Sequence, residues 1–322
     1  MADNEKQIKN TSIGGQALIE GIMMRGPKTT AMAVRNPEGE IVLEKWETEA
    51  TKKKGVRTIP VVRGIFNFID SMRFGYKCLM RSAEIAGLED EPKKIESEDA
   101  GETSKKEGGS SVGMTVLMVI SVVLGVLLAV GLFVALPSFL YALLAKFVPF
   151  LSEDNRFLKS AFEGVLKVLI LVGYLAAVSL MKDIRRTFMY HGGEHKTIFC
   201  YEQGLPLTVE NVRAQRRFHP RCGTSFLILM ILVSILISML IPATIPTYLR
   251  VIIKLCLLPL IMGIGYELIK FAGKHDNLLT KIISAPGMWL QHLTVLEPDD
   301  SMIECAITAM KEVIPNDESD NW

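Results

Sequence analysis

The sequence predicts an α+β membrane protein: a small β-containing N-terminal cytoplasmic domain, then a four-transmembrane-helix domain with a cytoplasmic loop and a C-terminal helix. Three observations carry this. Long apolar runs alternate with strongly charged stretches in a chain of 322 residues that is 49% hydrophobic. Residues 12–50 alternate apolar and polar side chains between turn residues. Lys and Arg crowd into the segment between the second and third apolar runs. The net charge of +1 gives no bulk electrostatic case for nucleic acid, and sequence-specific nucleic-acid binding is not expected.

From the N-terminus, "TAMAVRNPEGEIVLEKW" reads as two strands around the turn "NPEG", and "ALIEGIMMRGP" before it supplies another strand. From Pro60 the period becomes helical. Val62, Ile65, Ile69, Met72, Tyr76 and Leu79 fall on one face, with Arg63, Asp70, Arg73, Lys77 and Arg81 mostly elsewhere. That apolar face covers the sheet or, as a basic amphipathic helix, lies in a membrane interface. Residues 1–88 form this domain. Residues 89–112 are charged, rich in Gly and Ser and poor in large apolar side chains, so they read as a flexible linker.

Four runs are candidate spans: Val112 to Leu136, Ala161 to Met181, Phe226 to Ile241 and Leu249 to Ile269. A core of about 30 Å needs roughly 20 apolar residues, so the third run is short and the other three suffice. They divide the remaining chain into two spans over 113–181, a loop over 182–223, two spans over 224–270 and a tail over 271–322. The polar start "MADNEKQIKN" predicts no cleaved signal peptide. The loop 182–223 holds eight bases against four acids, which places it, and with four spans both termini, in the cytoplasm. Lys167 and Lys254, near the outer ends of their spans, are read as snorkelling. Five scattered cysteines on this topology argue against a disulfide framework. In the tail, Ser301-x-x-Glu304 followed by Ile303, Ile307, Met310 and Ile314 predicts a helix docked on the N-terminal domain.

The chemistry concentrates in "FMYHGGEHKTIFCYE". His191 and His195 are four apart with Glu194 beside the second, the arrangement of inverted zincins. Gly192 and Gly193 argue against a helix there, because each costs about 1 kcal/mol relative to Ala in a helix interior. A turn that curls both imidazoles toward one point remains compatible with a metal. Further on, "FHPRCGTSF" brings His219 and Cys222 to the start of the third span. His191, His195, His219 and Cys222 are therefore the candidate ligands of a divalent metal, zinc before others. Two histidines plus a His or Cys make the three-ligand set of a catalytic site, and all four would close a structural one. Glu202 and Glu267 are alternates. Glu194 is the candidate general base and Arg221 the candidate charge stabiliser.

These segments, with "GGQALIEGIMMRGP", "LTVENVR" and "SAPGMWLQHLTVLEPDD", resemble the YqhQ-like bacterial membrane proteins, from about Ile13 to Val313. That family is grouped as predicted metal-dependent enzymes. The resemblance implies a bacterial cell-membrane location and a metal, and no particular substrate. It also directs attention to the Gly-rich N-terminal motif, whose Glu20 and Arg25 either join the site or pair with each other.

Two function classes follow. One is a metal-dependent hydrolase acting at the cytoplasmic membrane face on a peptide, lipid headgroup or nucleotide-like ester. The other is a non-enzymatic scaffold whose basic segment "NVRAQRRFHPR" recruits an anionic cytoplasmic partner such as the ribosome or anionic lipid. Transport needs the chain to form a homo-oligomer, since few polar groups lie in the spans. The lipid bilayer is the partner common to these readings and to transport.

Overall fold

The computed structural model describes residues 10–48, 55–88, 109–148, 150, 155–242, 245–275 and 277–320. The linker expected over 89–112 lies outside them up to residue 108. In chain order the elements are strands β1 (Gly14–Leu18), β2 (Gly21–Arg25), β3 (Thr29–Arg35) and β4 (Ile41–Glu47), then helices α1 (Val62–Ile85) and α2 (Gly109–Val130). There follow α3 (Leu136–Ala145), α4 (Arg156–Val178), α5 (Lys182–Glu202), α6 (Val209–Arg213), α7 (Gly223–Ser238), α8 (Thr247–Lys274), α9 (Leu278–Thr294) and α10 (Asp300–Val313). The chain divides into two compact units, Met1–Glu89 with Leu171–Val233 and Leu258–Trp322, and Asp90–Ile170 with Ser234–Leu257.

The first unit is built on an antiparallel sheet of order β1-β2-β3-β4. "NPEG" makes the β3–β4 turn, with Gly39 at φ 88° and its N–H on the Asn36 carbonyl at 3.0 Å. "ALIEGIMMRGP" yields a hairpin in place of one strand, because Ile19 and Glu20 turn the chain and Glu20 takes φ 49°. The two-residue period of β2 buries both sheet faces. Ile22 and Met24 enter a core with Tyr190 and Ile198 of α5 and Met302, Cys305, Ala306 and Met310 of α10. Met23, with Leu18, Met32 and Val34, packs against Cys78 and the half-buried Phe74 and Leu79 of α1.

The terminal helix is thus docked on the N-terminal sheet. Its cap lies at Asp299, whose carboxylate accepts the Met302 N–H at 3.0 Å, two residues before the expected Ser301. The covered face of α1 differs from the one its apolar period suggests. It centres on Gly64, Gly75, Cys78, Ser82 and Ala83, leaving Ile69, Met72 and Tyr76 exposed. Small residues win because the helix lies close to β1: a Cβ on Gly75 would strike the Gln16 side chain.

Three helical stretches are long and apolar enough to cross a membrane, Ile120–Ala145, Arg156–Val178 and Thr247–Lys274, while Gly223–Ser238 is a shorter apolar helix. The first runs past the expected end at Leu136, because a π-helical stretch at Gly131–Ala135 precedes Pro137 and lets helix continue into α3. In the second unit Lys167 and Lys254 are buried and do not snorkel. Lys254 pairs with the buried Glu163 and reaches Ser138 Oγ at 3.2 Å, and Lys167 reaches Ser234 Oγ at 3.2 Å. Arg250, fully buried, donates to the carbonyls of Ser238, the last residue of α7, and of Ile241 and Pro242 beyond it. Helix α9, which runs through Pro286 and Gly287, was not foreseen in the sequence.

Candidate metal centre

All of the site lies in the first unit. Helix α5 runs uninterrupted through Gly192 and Gly193, so the expected Gly-Gly stop is corrected. The reason is packing. A Cβ at Gly192 would run into the carbonyl oxygen of Leu296, and the Leu296 N–H donates to the Phe188 carbonyl at 2.9 Å. The glycine lets the 295–299 segment lie directly on the helix, and the helix cost is outweighed. His191 and His195 consequently stand one turn apart on one face, ring centroids 4.5 Å apart.

Each ring is oriented by a backbone carbonyl. His191 Nδ1 donates to Thr294 O at 2.9 Å, and His195 Nδ1 donates to Arg217 O at 2.5 Å, leaving both Nε2 atoms free as ligands. Cys222 Sγ lies 3.2 Å from His191 Nε2, and the ligand atoms of His191, His195 and Cys222 all lie within 4.8 Å of one another. Tetrahedral zinc with nitrogen and sulfur ligands needs separations of about 3.3–3.6 Å, so the trio could close on an ion with sub-ångström to ångström adjustments. Burial holds the His195 pKa below its ordinary value, which favours the neutral ring a metal needs. Burial opposes ionisation of Cys222, but the adjacent His195 ring and the Thr224 hydroxyl and N–H draw its thiol below the ordinary value.

Glu194 stands outside the trio and lines the same cleft, about 470 Å³, with His191, His195, Cys222, His219 and Arg221. Its carboxylate accepts a hydrogen bond from the Gly15 backbone, and burial pushes its pKa up to about 7. A Cβ on Gly15 would sit 2.9 Å from Glu194 Cδ and 2.7 Å from the Met23 carbonyl oxygen, so only glycine lets β1 pass there.

The remaining candidates take other places. Gln291 clamps the His219 backbone in both directions at 2.8 Å. The His219 ring sits behind His195, its Nε2 3.7 Å from Glu202 Oε2. Glu202 is buried, pairs with Arg221 and accepts the Thr11 N–H at 3.0 Å. Burial raises the Glu202 pKa, but His219 and Arg221 more than offset this and keep it lowered. Glu267 is held by Arg63 on α1, away from the trio. Glu20 pairs with Arg186, both contacts 2.5 Å, and with the Tyr190 hydroxyl, so it does not pair with Arg25. Arg25 does not line the cleft of Glu194 but a neighbouring one, with Phe74, and the two share Gly14 and Gly15 in their walls. The sequence offered no signal for Thr294, Arg217 or Gln291, since the first two act through backbone carbonyls. The GG motif was the only pointer to Gly15.

A family model described as "Protein of unknown function (DUF1385)" matches residues 59–316. The uncharacterized protein YqhQ of Bacillus subtilis (strain 168) is 38% identical over 314 residues, covering 94% of this chain and 92% of that protein. No solved structure matches. His191, Glu194, His195 and Cys222 fall within the family match and Gly15 before it.

Proposed function

The chain belongs to the DUF1385 family, and on that premise we propose that it is a multi-pass protein of the bacterial cell membrane whose His191, His195 and Cys222 hold zinc or another first-row divalent ion for hydrolysis. The observation that carries this is the pair of histidines fixed by backbone carbonyls with Nε2 atoms turned to one thiol, beside a buried carboxyl in the same cleft. Three protein ligands leave a position open, as in catalytic rather than structural sites. An ion there would supply Lewis acidity to an ester, amide or phosphoryl oxygen. Glu194 takes the proton from the attacking water and returns it to the leaving group. Arg221 stabilises developing negative charge from the rim, and His219 supports it through Glu202. Glu20 positions α5 through Arg186, and Arg25 stands apart from the reaction.

In this reading α7, about 24 Å long at 1.5 Å per residue, is a short fourth span, with both termini and the cluster cytoplasmic. The scaffold reading has less support. Arg213 pairs with Asp300, Arg217 with Glu297, and Arg216 lies over the Phe199 ring, so the basic segment is largely engaged within the chain.

Metal analysis of detergent-purified protein tests the proposal. Near-stoichiometric metal is expected, with strong loss in His191→Ala/His195→Ala. Unchanged metal content in that double variant overturns it.

A further inference from the structure

Three residues separate helix α9 from α8, a helix apolar enough to span a membrane, with Asn277 and Thr280 forming a reciprocal cap at the start of α9. One face of α9 is fully used. Gly287 lies against Ser225 of α7, Gln291 holds the His219 backbone, and Thr294 O holds His191. The opposite face is apolar and open. Leu278, Ile282 and Trp289 are 75%, 60% and 59% exposed and, with the exposed Ala285, follow one another at i, i+4, i+7 and i+11. No acid occurs in the helix, and Lys281 lies beside the stripe.

Helix α1 carries a similar apolar stripe, with one acid beside it, Asp70, which pairs with Arg57. Ile69, Met72 and Tyr76 are exposed at i, i+3 and i+7 with Arg73 and Lys77 alongside. It is fixed to α8 by Gly64 against Gly263 and Tyr266, by Asn67 Nδ2 on the Tyr266 hydroxyl at 2.7 Å, and by Arg63 on Glu267. The start of α1 thus meets α8 within its last three turns, and α9 follows α8 directly. An apolar stripe beside bases, continuous with a span and carrying Trp and Tyr, fits the boundary between acyl chains and anionic headgroups.

We propose that α9, together with α1, docks on the surface of the same bilayer, with Trp289 and Ile282 among the upper acyl chains and the bases among anionic headgroups. Insertion then holds the helix whose Thr294 and Gln291 set the His191 and His219 geometry. Where the hydrolase reading holds, on which this one consequence rests, the substrate is an amphiphile whose scissile bond lies at headgroup level.

The chain has three tryptophans, Trp46, Trp289 and Trp322, so the double variant Trp46→Phe/Trp322→Phe leaves Trp289 as sole reporter. The full chain is reconstituted one copy per nanodisc with phosphatidylglycerol and phosphatidylcholine, brominated either near the headgroup or near the chain ends. Insertion by about 5–10 Å predicts roughly twofold loss of emission with the shallow label and a smaller loss with the deep one. Emission quenched by aqueous iodide and indifferent to both lipids overturns the proposal. Emission insensitive to all three quenchers also overturns it, since protein then covers the face. A nitroxide on Ile282→Cys gives a second readout independent of the tryptophan background, and it should be more accessible to oxygen than to a water-soluble nickel chelate. Metal content and Glu194→Gln activity are measured separately, so loss of the hydrolase reading leaves the quenching result standing.

Discussion

His191 Nδ1 donates to the carbonyl oxygen of Thr294, the last residue of α9, across 2.9 Å. A backbone carbonyl fixes the tautomer, so the identity of residue 294 is secondary while that of residue 191 is not. Thr294 is buried, and its hydroxyl reaches only the Leu290 carbonyl at 3.5 Å. Thr294→Val is expected to keep its metal within about twofold, whereas His191→Ala loses affinity by about tenfold or more. Metal titration with a competing chelator measures both. A Thr294→Val variant as depleted as His191→Ala would show that the hydroxyl, not the carbonyl, sets the ring.

Gly192 and Gly193 are adjacent in one helix and should respond oppositely to alanine. At Gly192 the new methyl collides with the Leu296 backbone, which can move only by lifting the 295–299 segment from α5. Overpacking of this kind costs about 1–3 kcal/mol. At Gly193 the nearest atoms lie 3.6 Å from a built Cβ, an ordinary contact. There the helix gains up to about 1 kcal/mol. Thermal unfolding in detergent should show Gly192→Ala melting lower and Gly193→Ala unchanged or higher.

These glycines also mark what the sequence could and could not disclose. The strands around "NPEG" and the existence of the terminal helix follow from period and turn chemistry, both local signals, whereas the meeting of His191, His195 and Cys222 was expected through a turn and is achieved through a helix. The continuity of α5 does not follow from such signals, because propensity charges both glycines a penalty that a contact with Leu296, over a hundred residues away, reverses. The covered face of α1 was hidden for the same reason, since close approach to Gln16 rewards Gly75 over the larger apolar stripe. The burial of Lys254 depends on Glu163 of α4 and Ser138 of α3, and that of Lys167 on Ser234 of α7, partners that neither helix's own periodicity discloses.

The buried pair Glu163 and Lys254 yields a prediction of its own. Removing one partner strands a charge among apolar helices, which typically costs about 3–5 kcal/mol, whereas removing both together costs far less. Glu163→Gln and Lys254→Met should each lower thermal stability strongly, and the double variant should recover much of the loss. Additive losses across the cycle would mean that the two charges are compensated elsewhere, for instance by Ser138 or Lys167.

Orientation can be tested without relying on buried thiols. Cys200 and Cys222 are both buried, so neither reports topology by labelling. Gln203, exposed at the end of α5, is a better position. In intact cells an impermeant maleimide should label Ser152→Cys and leave Gln203→Cys unlabelled, and the reverse pattern would invert the proposed arrangement.

The decisive comparison between enzyme and scaffold turns on Glu194. The residue is buried against Gly15, lines the cleft and lies outside the trio of ligands, so a change that spares its shape should spare fold and metal. Glu194→Gln is nearly isosteric but cannot accept a proton. For a hydrolase it should retain near-stoichiometric metal while losing about 10²–10⁴-fold in rate, and so fail to complement a deletion at matched protein level. A scaffold reverses the pattern. Glu194→Gln would then be silent, and Arg213→Gln/Arg216→Gln/Arg217→Gln would weaken association with an anionic partner in a salt-dependent way. The engagement of those three bases with Asp300, Phe199 and Glu297 means that the triple variant also removes intrachain contacts. Its folding must be verified before a failure is attributed to a lost partner. Full complementation by Glu194→Gln beside failure of a folded triple variant would leave the metal as a structural clip and end the hydrolase proposal. The expected outcome is the opposite, because a carboxyl buried beside two oriented imidazoles and a thiol is costly to retain in a chain that merely recruits a partner.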